Sequence, residues 1–278
     1  MTDLIAIATW NYGGGPLATR MERFAAMGYN AVSLSAQDAW ALCSGSTPEV
    51  EEAIVTRSLA VVVYSGFGRS LEPDPTEQLV RDVESYLSWH ARTGALRTVN
   101  YDARTIDGPD GKCNYDVDWM RGVLRRLLAL SIGSGVTIGV EDWPRTPDQM
   151  QAVEDLLVYP HYGVLVDLGH LNMRIRGSET PGDSFPVDAA QAYLEGFGLP
   201  VNELHVHINN GERDQHGPPT TGSADMRELA RMLKRMDVRG PSTIEIVPAW
   251  SGLSEEEGWA AARDAALFWR EAFMTGDD

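Results

Sequence analysis

The sequence predicts a single (β/α)8 barrel, a TIM barrel of the α/β class spanning residues 1–278, on three observations. Short apolar runs alternate with longer amphipathic ones from end to end, and no linker-like stretch divides them. Several of the short runs are continuously apolar, as strands buried on both faces are. The 278 residues suit one α/β barrel, a fold of about 250 residues. A doubly wound open sheet is the alternative with the same alternation.

The elements follow in order. Residues 4–10 (LIAIATW) read as the first strand, closed by the glycine turn Gly13 to Gly15. Pro16 opens a helical stretch in which Leu17, Met21, Phe24 and Ala25 recur at helical spacing, and Gly28 stops it. AVSLSA is the second strand. Residues 47–58 begin with a threonine cap, carry acids in the first turn, and lead into LAVVVYSGF as the third strand. Residues 73–93 read as a helix, and ALRTVNY after them is a weaker strand pattern. Residues 116–134 place Trp119, Val123, Leu127 and Leu130 along one helical side, before the strand VTIGVEDW. A short helix over 147–157 precedes YGVLVDLGH, and a helix over 187–197 precedes ELHVHIN. A helix over 225–236 leads to STIEIVPAW. The last helix, 254–274, carries Trp259, Ala262, Ala266, Leu267 and Trp269.

Composition narrows the partners. The formal net charge of -17 repels a nucleic acid backbone. Cys43 and Cys113 lie far apart and make no CxxC pair, so both read as reduced, partly buried thiols. The N-terminal residues lack the basic region of a signal peptide. No apolar run approaches the roughly 20 residues that cross a bilayer. The expectation is a soluble cytoplasmic protein acting on a small molecule, without nucleic-acid or membrane partners; a homo-oligomer fits it equally well.

The polar residues that interrupt the strands fall at or near their C-terminal ends. Glu141 follows VTIGV, Asp167 follows YGVLV, His205 and His207 sit in ELHVHIN, and Glu245 sits in STIEIV. In an α/β barrel such residues from several strands meet over one mouth. Unpaired and buried, each charge would cost several kcal/mol or more. A divalent cation removes the repulsion and gives imidazole a partner, so these residues are read as a metal site. Four of the 6 histidines (His170, His205, His207, His216) cluster in the sixth and seventh strand-loop regions. His205 and His207 are two apart on a strand and share a face, so one can bind metal while the other meets substrate or steadies a ligand. Asp214 and His216 share that spacing in the next loop. His90 and His161 read as ordinary structural histidines.

The stretches GVEDWP, VDLGHLN, HVHINNGERDQHGPP and TIEIVP resemble motifs of the xylose-isomerase-like TIM barrels, a superfamily of sugar epimerases and isomerases, inosose dehydratases, hydroxypyruvate isomerase and endonuclease IV. RMERFAAMGYNAVSLSA resembles that superfamily's first helix and second strand. The resemblance implies that Glu141, Asp167, His205 and Glu245 bind the metal, and that Glu141 and Glu245 also form the acid/base pair. It implies that His170, His207, Asp214 and His216 surround that metal or hold another. Asn209, in the same motif, is assigned to substrate. One departure stands out: Ile208 occupies a position that is often aspartate in this family.

These readings converge on a metal-dependent isomerase or epimerase of a sugar, keto-sugar or polyol-like molecule. A dehydratase or lyase, which expels a β-hydroxyl instead of reprotonating the same carbon, is the neighbouring reading. An endonuclease IV-like phosphodiester hydrolase would use His170, Asp214 and His216 for additional metals. The third and fourth strand ends, however, lack the histidines which that enzyme supplies, and the charge is unsuited to DNA. A non-catalytic barrel with a vestigial site is the third reading, and the near-complete ligand set argues against it. Trp10, Trp143 and Trp250 either form an apolar floor for a sugar ring or pack the rim. Three carboxylates with one histidine favour Mn²⁺ or Mg²⁺, with Mn²⁺ preferred; further histidine ligands would favour Zn²⁺.

Overall fold

The computed structural model describes residues 4–66, 75–103, 116–144, 146–176 and 186–274. Its strands are β1 (Ile5–Ile7), β2 (Ala31–Ser35), β3 (Ala60–Gly66), β4 (Leu96–Asp102), β5 (Thr137–Glu141), β6 (Tyr162–Asp167), β7 (Val201–Val206) and β8 (Ser242–Ile244). All pair in parallel, in the order β1-β8-β7-β6-β5-β4-β3-β2. A bridge between Ala8 and Ser33 joins the two ends, so the sheet curls into a nearly closed barrel and the open-sheet alternative falls. Around it run α1 (Leu17–Ala26), α2 (Ala36–Cys43), α3 (Pro48–Arg57), α4 (Thr76–Thr93), α5 (Val117–Ser131), α6 (Pro147–Ala152), α7 (Leu168–Arg176), α8 (Val187–Glu195), α9 (Met226–Arg235) and α10 (Glu255–Met274). Their apolar stripes bury Phe24, Trp89, Tyr86 and Trp269 against the outside of the sheet. Each such side chain contributes about 1.5–3 kcal/mol relative to exposure.

Several elements depart from the expected pattern, among them an unannounced α7 that starts where the sixth strand was expected to continue. The first strand ends at Ile7, because Thr9–Asn11 turns into a 3-10 helix. Helix α2, which no periodicity announced, starts where the Ser35 hydroxyl accepts the Asp38 amide at 3.2 Å. It is two turns long and leaves Trp40 exposed, so its apolar pattern is blurred. The stretch 147–157 divides into α6, started by a capping box between Thr146 and Gln149, and a 3-10 turn at Glu154–Leu156. Phe67, Cys113 and residues 73–74 of the helix expected over 73–93 lie outside the described residues. Cys43 is free and partly buried, and burial pushes its thiol up to about 12. Among the described residues, no helix is long and apolar enough to cross a membrane.

Two bulges shape the barrel interior. The register of β4 shifts at Arg97 and that of β7 at Asn202, each inserting one extra residue against its neighbour. Such an insertion re-aims the side chains around it. Asn202 thereby reaches inward, donating to Asn100 Oδ1 at 2.9 Å and Thr98 Oγ1 at 3.1 Å. Gly139 on β5 provides the room, since a Cβ there would collide with both asparagine side chains. This polar layer lies directly below the mouth.

Candidate metal centre

Four consecutive strands, β5 to β8, carry the mouth residues. Glu141 is the last residue of β5, Asp167 the last of β6, and His205 the next to last of β7. His207 and Glu245 each come directly after a strand end. Asp167 and His205 are register partners, which places them side by side. All five are buried, as are His170 and His216.

Asp167 is the hub. Its Oδ1 accepts the His170 amide at 2.8 Å, so it caps the start of α7. Its Oδ2 accepts from His207 Nε2 at 2.9 Å and lies 3.9 Å from His205 Nδ1. Glu245 Oε2 stands 2.9 Å from His205 Nδ1 and 3.7 Å from His216 Nδ1. The His205–Glu245 approach is an ion-pair distance without hydrogen-bond alignment, since neither ring nitrogen of His205 has a hydrogen-bond partner. Glu141 Oε2 accepts the Tyr64 hydroxyl, while Oε1 faces His170 Nδ1 at 3.4 Å. Asp214 Oδ2 links His170 Nε2 at 3.2 Å to His216 Nε2 at 2.9 Å. The His207 and His216 rings stack at 3.8 Å.

Donor atoms within 4.8 Å of one another form three groups: Asp167, His205 and Glu245; Glu141, Asp167 and His170; and His207, Asp214 and His216. The expected four-ligand set is therefore two overlapping triads that share Asp167, with Glu141 on the His170 side. The chemistry of these groups fits a divalent cation. Both nitrogens of His205, Nδ1 of His207 and Oδ1 of Asp214 are buried without hydrogen-bond partners. Buried polar atoms left in this way are costly, and a cation held by Asp167, His205 and Glu245 would engage His205 Nδ1.

The sequence matches a family model described as xylose isomerase-like TIM barrel over residues 21–272. The chain belongs to the xylose isomerase-like TIM barrel family. An uncharacterized protein of Methanocaldococcus jannaschii is 25% identical over 129 residues, 44% of this chain; the match spans 41% of that relative's length. Among solved structures, a D-tagatose 3-epimerase-like protein aligns with TM-score 0.69 and 15% identity, covering 99% of this chain and 98% of its own. A xylose isomerase-like TIM barrel protein from Mycobacterium smegmatis, solved in complex with magnesium, aligns with TM-score 0.69 and 16% identity, over 98% and 97% of the two chains. Sugar epimerases recur among these neighbours. At such identities the likeness shows the fold.

In this xylose isomerase-like barrel the charges polarise one another. Burial alone would lift the Asp167 carboxyl, but His170 and His207 outweigh it and hold it well below the usual range. Glu245 likewise resists burial through His205 and His216 and sits at about 2. Burial pulls His205 down, and the Glu245 and Glu203 carboxylates reverse this, raising it to about 10. His216 rises to about 9 by the same balance with Glu245 and Asp214. Its Nδ1 donates to the Glu245 main-chain carbonyl at 3.0 Å, which orients Nε2 toward Asp214.

The mouth contains residues that the strand pattern did not bring forward. Tyr64, near the end of β3, touches Glu141, stacks on Trp10 at 5.7 Å and meets the His205 ring edge at 5.0 Å. Asp142 has a left-handed φ of 49° and is fully buried. Its carboxylate accepts from His170 Nδ1 at 3.0 Å and from the Asp167 amide at 3.3 Å, with Arg174 3.3 Å away. The three tryptophans separate: Trp250 is 61% exposed beside His216, Trp10 is partly buried against Tyr64, and Trp143 is 2% exposed within the core. Trp143 is thus a core residue. Asn209 is buried, with its amide donating to the Gly169 carbonyl and its Oδ1 accepting from Asn172, so its side chain is engaged within the loop. Ile208 is buried and pairs its main chain with Gly217, holding the loop of Asp214 and His216 over the mouth.

Proposed function

We propose that the protein is a metal-dependent epimerase or isomerase of a sugar, keto-sugar or polyol-like small molecule. The observation that carries this reading is the position of Glu141 and Glu245 at the two ends of the β5–β8 arc, with Asp167 and His205 between them. Two carboxylates so placed can serve opposite faces of one carbon. Asp167, His205 and Glu245 would hold the cation, with Glu141 joining through Asp167. When bound, the cation supplies charge that polarises a carbonyl and adjacent hydroxyl and acidifies the neighbouring C–H. One glutamate removes that proton and the other returns it, to the opposite face for epimerisation or to the neighbouring carbon for isomerisation. Tyr64 donates to Glu141 Oε2 and so helps to hold that carboxylate in place.

The epimerase neighbours and the magnesium complex support this reading as precedents of fold and ligand. Mn²⁺ or Mg²⁺ suits the three carboxylates. The His207, Asp214 and His216 group favours a second reading, a multi-metal phosphodiester hydrolase containing Zn²⁺. The third strand end supplies Tyr64 in place of a further imidazole, and the net charge of -17 opposes a polyanionic substrate.

The test is hydrogen exchange from D2O into a panel of ketoses by Mn²⁺-loaded protein. Glu141→Gln and Glu245→Gln should each lower exchange by about 10²- to 10⁴-fold. Wild-type exchange in both variants would sink the proposal.

A further inference from the structure

Among the described residues, Glu203 is an acidic side chain of the barrel interior to which the proposed chemistry gives no task. It is fully buried, two residues before His205 on β7, and therefore on the same face one layer below it. The Thr243 hydroxyl donates to its Oε1 and the Asn100 amide to its Oε2, both at 2.5 Å. These bonds tie β7 to β8 on one side and, across the barrel, to β4. Bridging these two partners does not require a charge: a glutamine could accept from Asn100 and donate to the Thr243 hydroxyl in turn. A carboxylate is a costly choice there, because burying its charge carries a penalty of several kcal/mol unless a cation answers it. Among the described residues, the cationic group within 4.0 Å of it is His205, whose Nε2 lies 3.8 Å from Oε1.

The other edge of the same ring faces the mouth. His205 Nδ1 is directed at Glu245 and Asp167, at 2.9 and 3.9 Å, while Nε2 has no other hydrogen-bond acceptor. An imidazole that presents one nitrogen to a metal carries its proton on the other, and that proton needs a partner. We infer that Glu203 is a positioning residue for the metal centre: it receives the His205 Nε2 proton, fixing the ring with Nδ1 toward the mouth. A shift of about 1 Å brings the pair within ordinary hydrogen-bond distance. Asn100 and Thr243 hold the carboxylate still while the ring adjusts. This inference rests on the metal-centre reading given above.

The test compares wild type with Glu203→Gln, which keeps the shape and removes the charge. Mn²⁺ affinity, read from the electron paramagnetic resonance of the free ion, should fall by about 10- to 100-fold. The melting temperature of the metal-free protein should hold or rise, since a buried charge has gone. Equal Mn²⁺ affinity in the two proteins, or a lower melting temperature with affinity unchanged, would mean that Glu203 only braces the strands, and the inference fails alone. Wild-type protein that takes up no Mn²⁺ sinks the metal-centre reading, and this inference with it. If Glu203→Gln does not fold, 15N NMR of Mg²⁺-loaded wild type decides, with the His205 signals assigned by their loss in His205→Gln. A proton on Nε2 is expected; a proton on Nδ1 overturns the inference.

Discussion

At the scale of single residues, the site separates into groups that strand logic exposes and groups that it hides. Glu141, Asp167, His205 and Glu245 stood out because each interrupts an apolar run at its C-terminal end, where a buried charge needs a reason. Tyr64 obeys the same rule but passes as an ordinary strand aromatic, since tyrosine favours strands anyway. Asp142 hides behind Glu141, and what aims it is its left-handed backbone, which sequence does not announce. Glu203 was legible in principle, two residues before His205, yet a strand's first acid also reads as a solvated end. The Tyr64 hydroxyl offers a direct test. Tyr64→Phe keeps the ring stacked on Trp10 and removes the donor to Glu141. A hydrogen bond to a charged group contributes about 1.5–3 kcal/mol, so kcat should fall roughly 10- to 100-fold with KM little changed. Steady-state kinetics showing an unaltered kcat would remove Tyr64 from the site.

At the scale of elements, the alternation of strands and helices was legible, while α2, α7, boundaries and bulges were not. The period of an apolar pattern identifies a strand; its register depends on contacts that only the closed barrel supplies. The extra residue at Asn202 illustrates this, because nothing local distinguishes Val201-Asn202-Glu203 from regular strand. The placement of His170 is a similar case. It read as the end of the sixth strand region, and instead lies in the first turn of α7, which starts immediately after Asp167. That abrupt start brings Gly169 against β7, where a Cβ would run into the His207 ring. Two effects then oppose each other in Gly169→Ala. Helix propensity favours alanine by about 1 kcal/mol, whereas crowding a packed ring costs typically 1–3 kcal/mol. The ring is buried and bonded to Asp167, so crowding should win. Urea unfolding should show a net loss of up to about 2 kcal/mol; a gain in stability would show that the α7–β7 contact is looser than this.

At the scale of the whole molecule, the fold follows from chain length, alternation and continuously apolar strands, and the family match over residues 21–272 agrees with it. What sequence alone does not reach is how the charges share one space. In the metal-free barrel, carboxylates hold His205 up to about 10 and His216 to about 9, so both are protonated at pH 7. Their folded values lie above the ordinary one of about 6.5. The pairing therefore stabilises the metal-free fold fully below about pH 6.5, and that contribution is lost as pH rises through 9 to 10. A cation replaces those protons, so metal uptake at pH 7 should release about one proton per histidine engaged, and affinity should weaken as pH falls. Calorimetric titration in buffers of different ionisation enthalpy reads the release. Heats that do not depend on the buffer would contradict it.

The central claim is where the cation sits, and anomalous diffraction from crystals grown with Mn²⁺ locates it most directly. The account predicts a peak among Asp167, His205 and Glu245, on the side reached by Glu141. A peak confined to His207, Asp214 and His216, or none at saturating Mn²⁺, would contradict it.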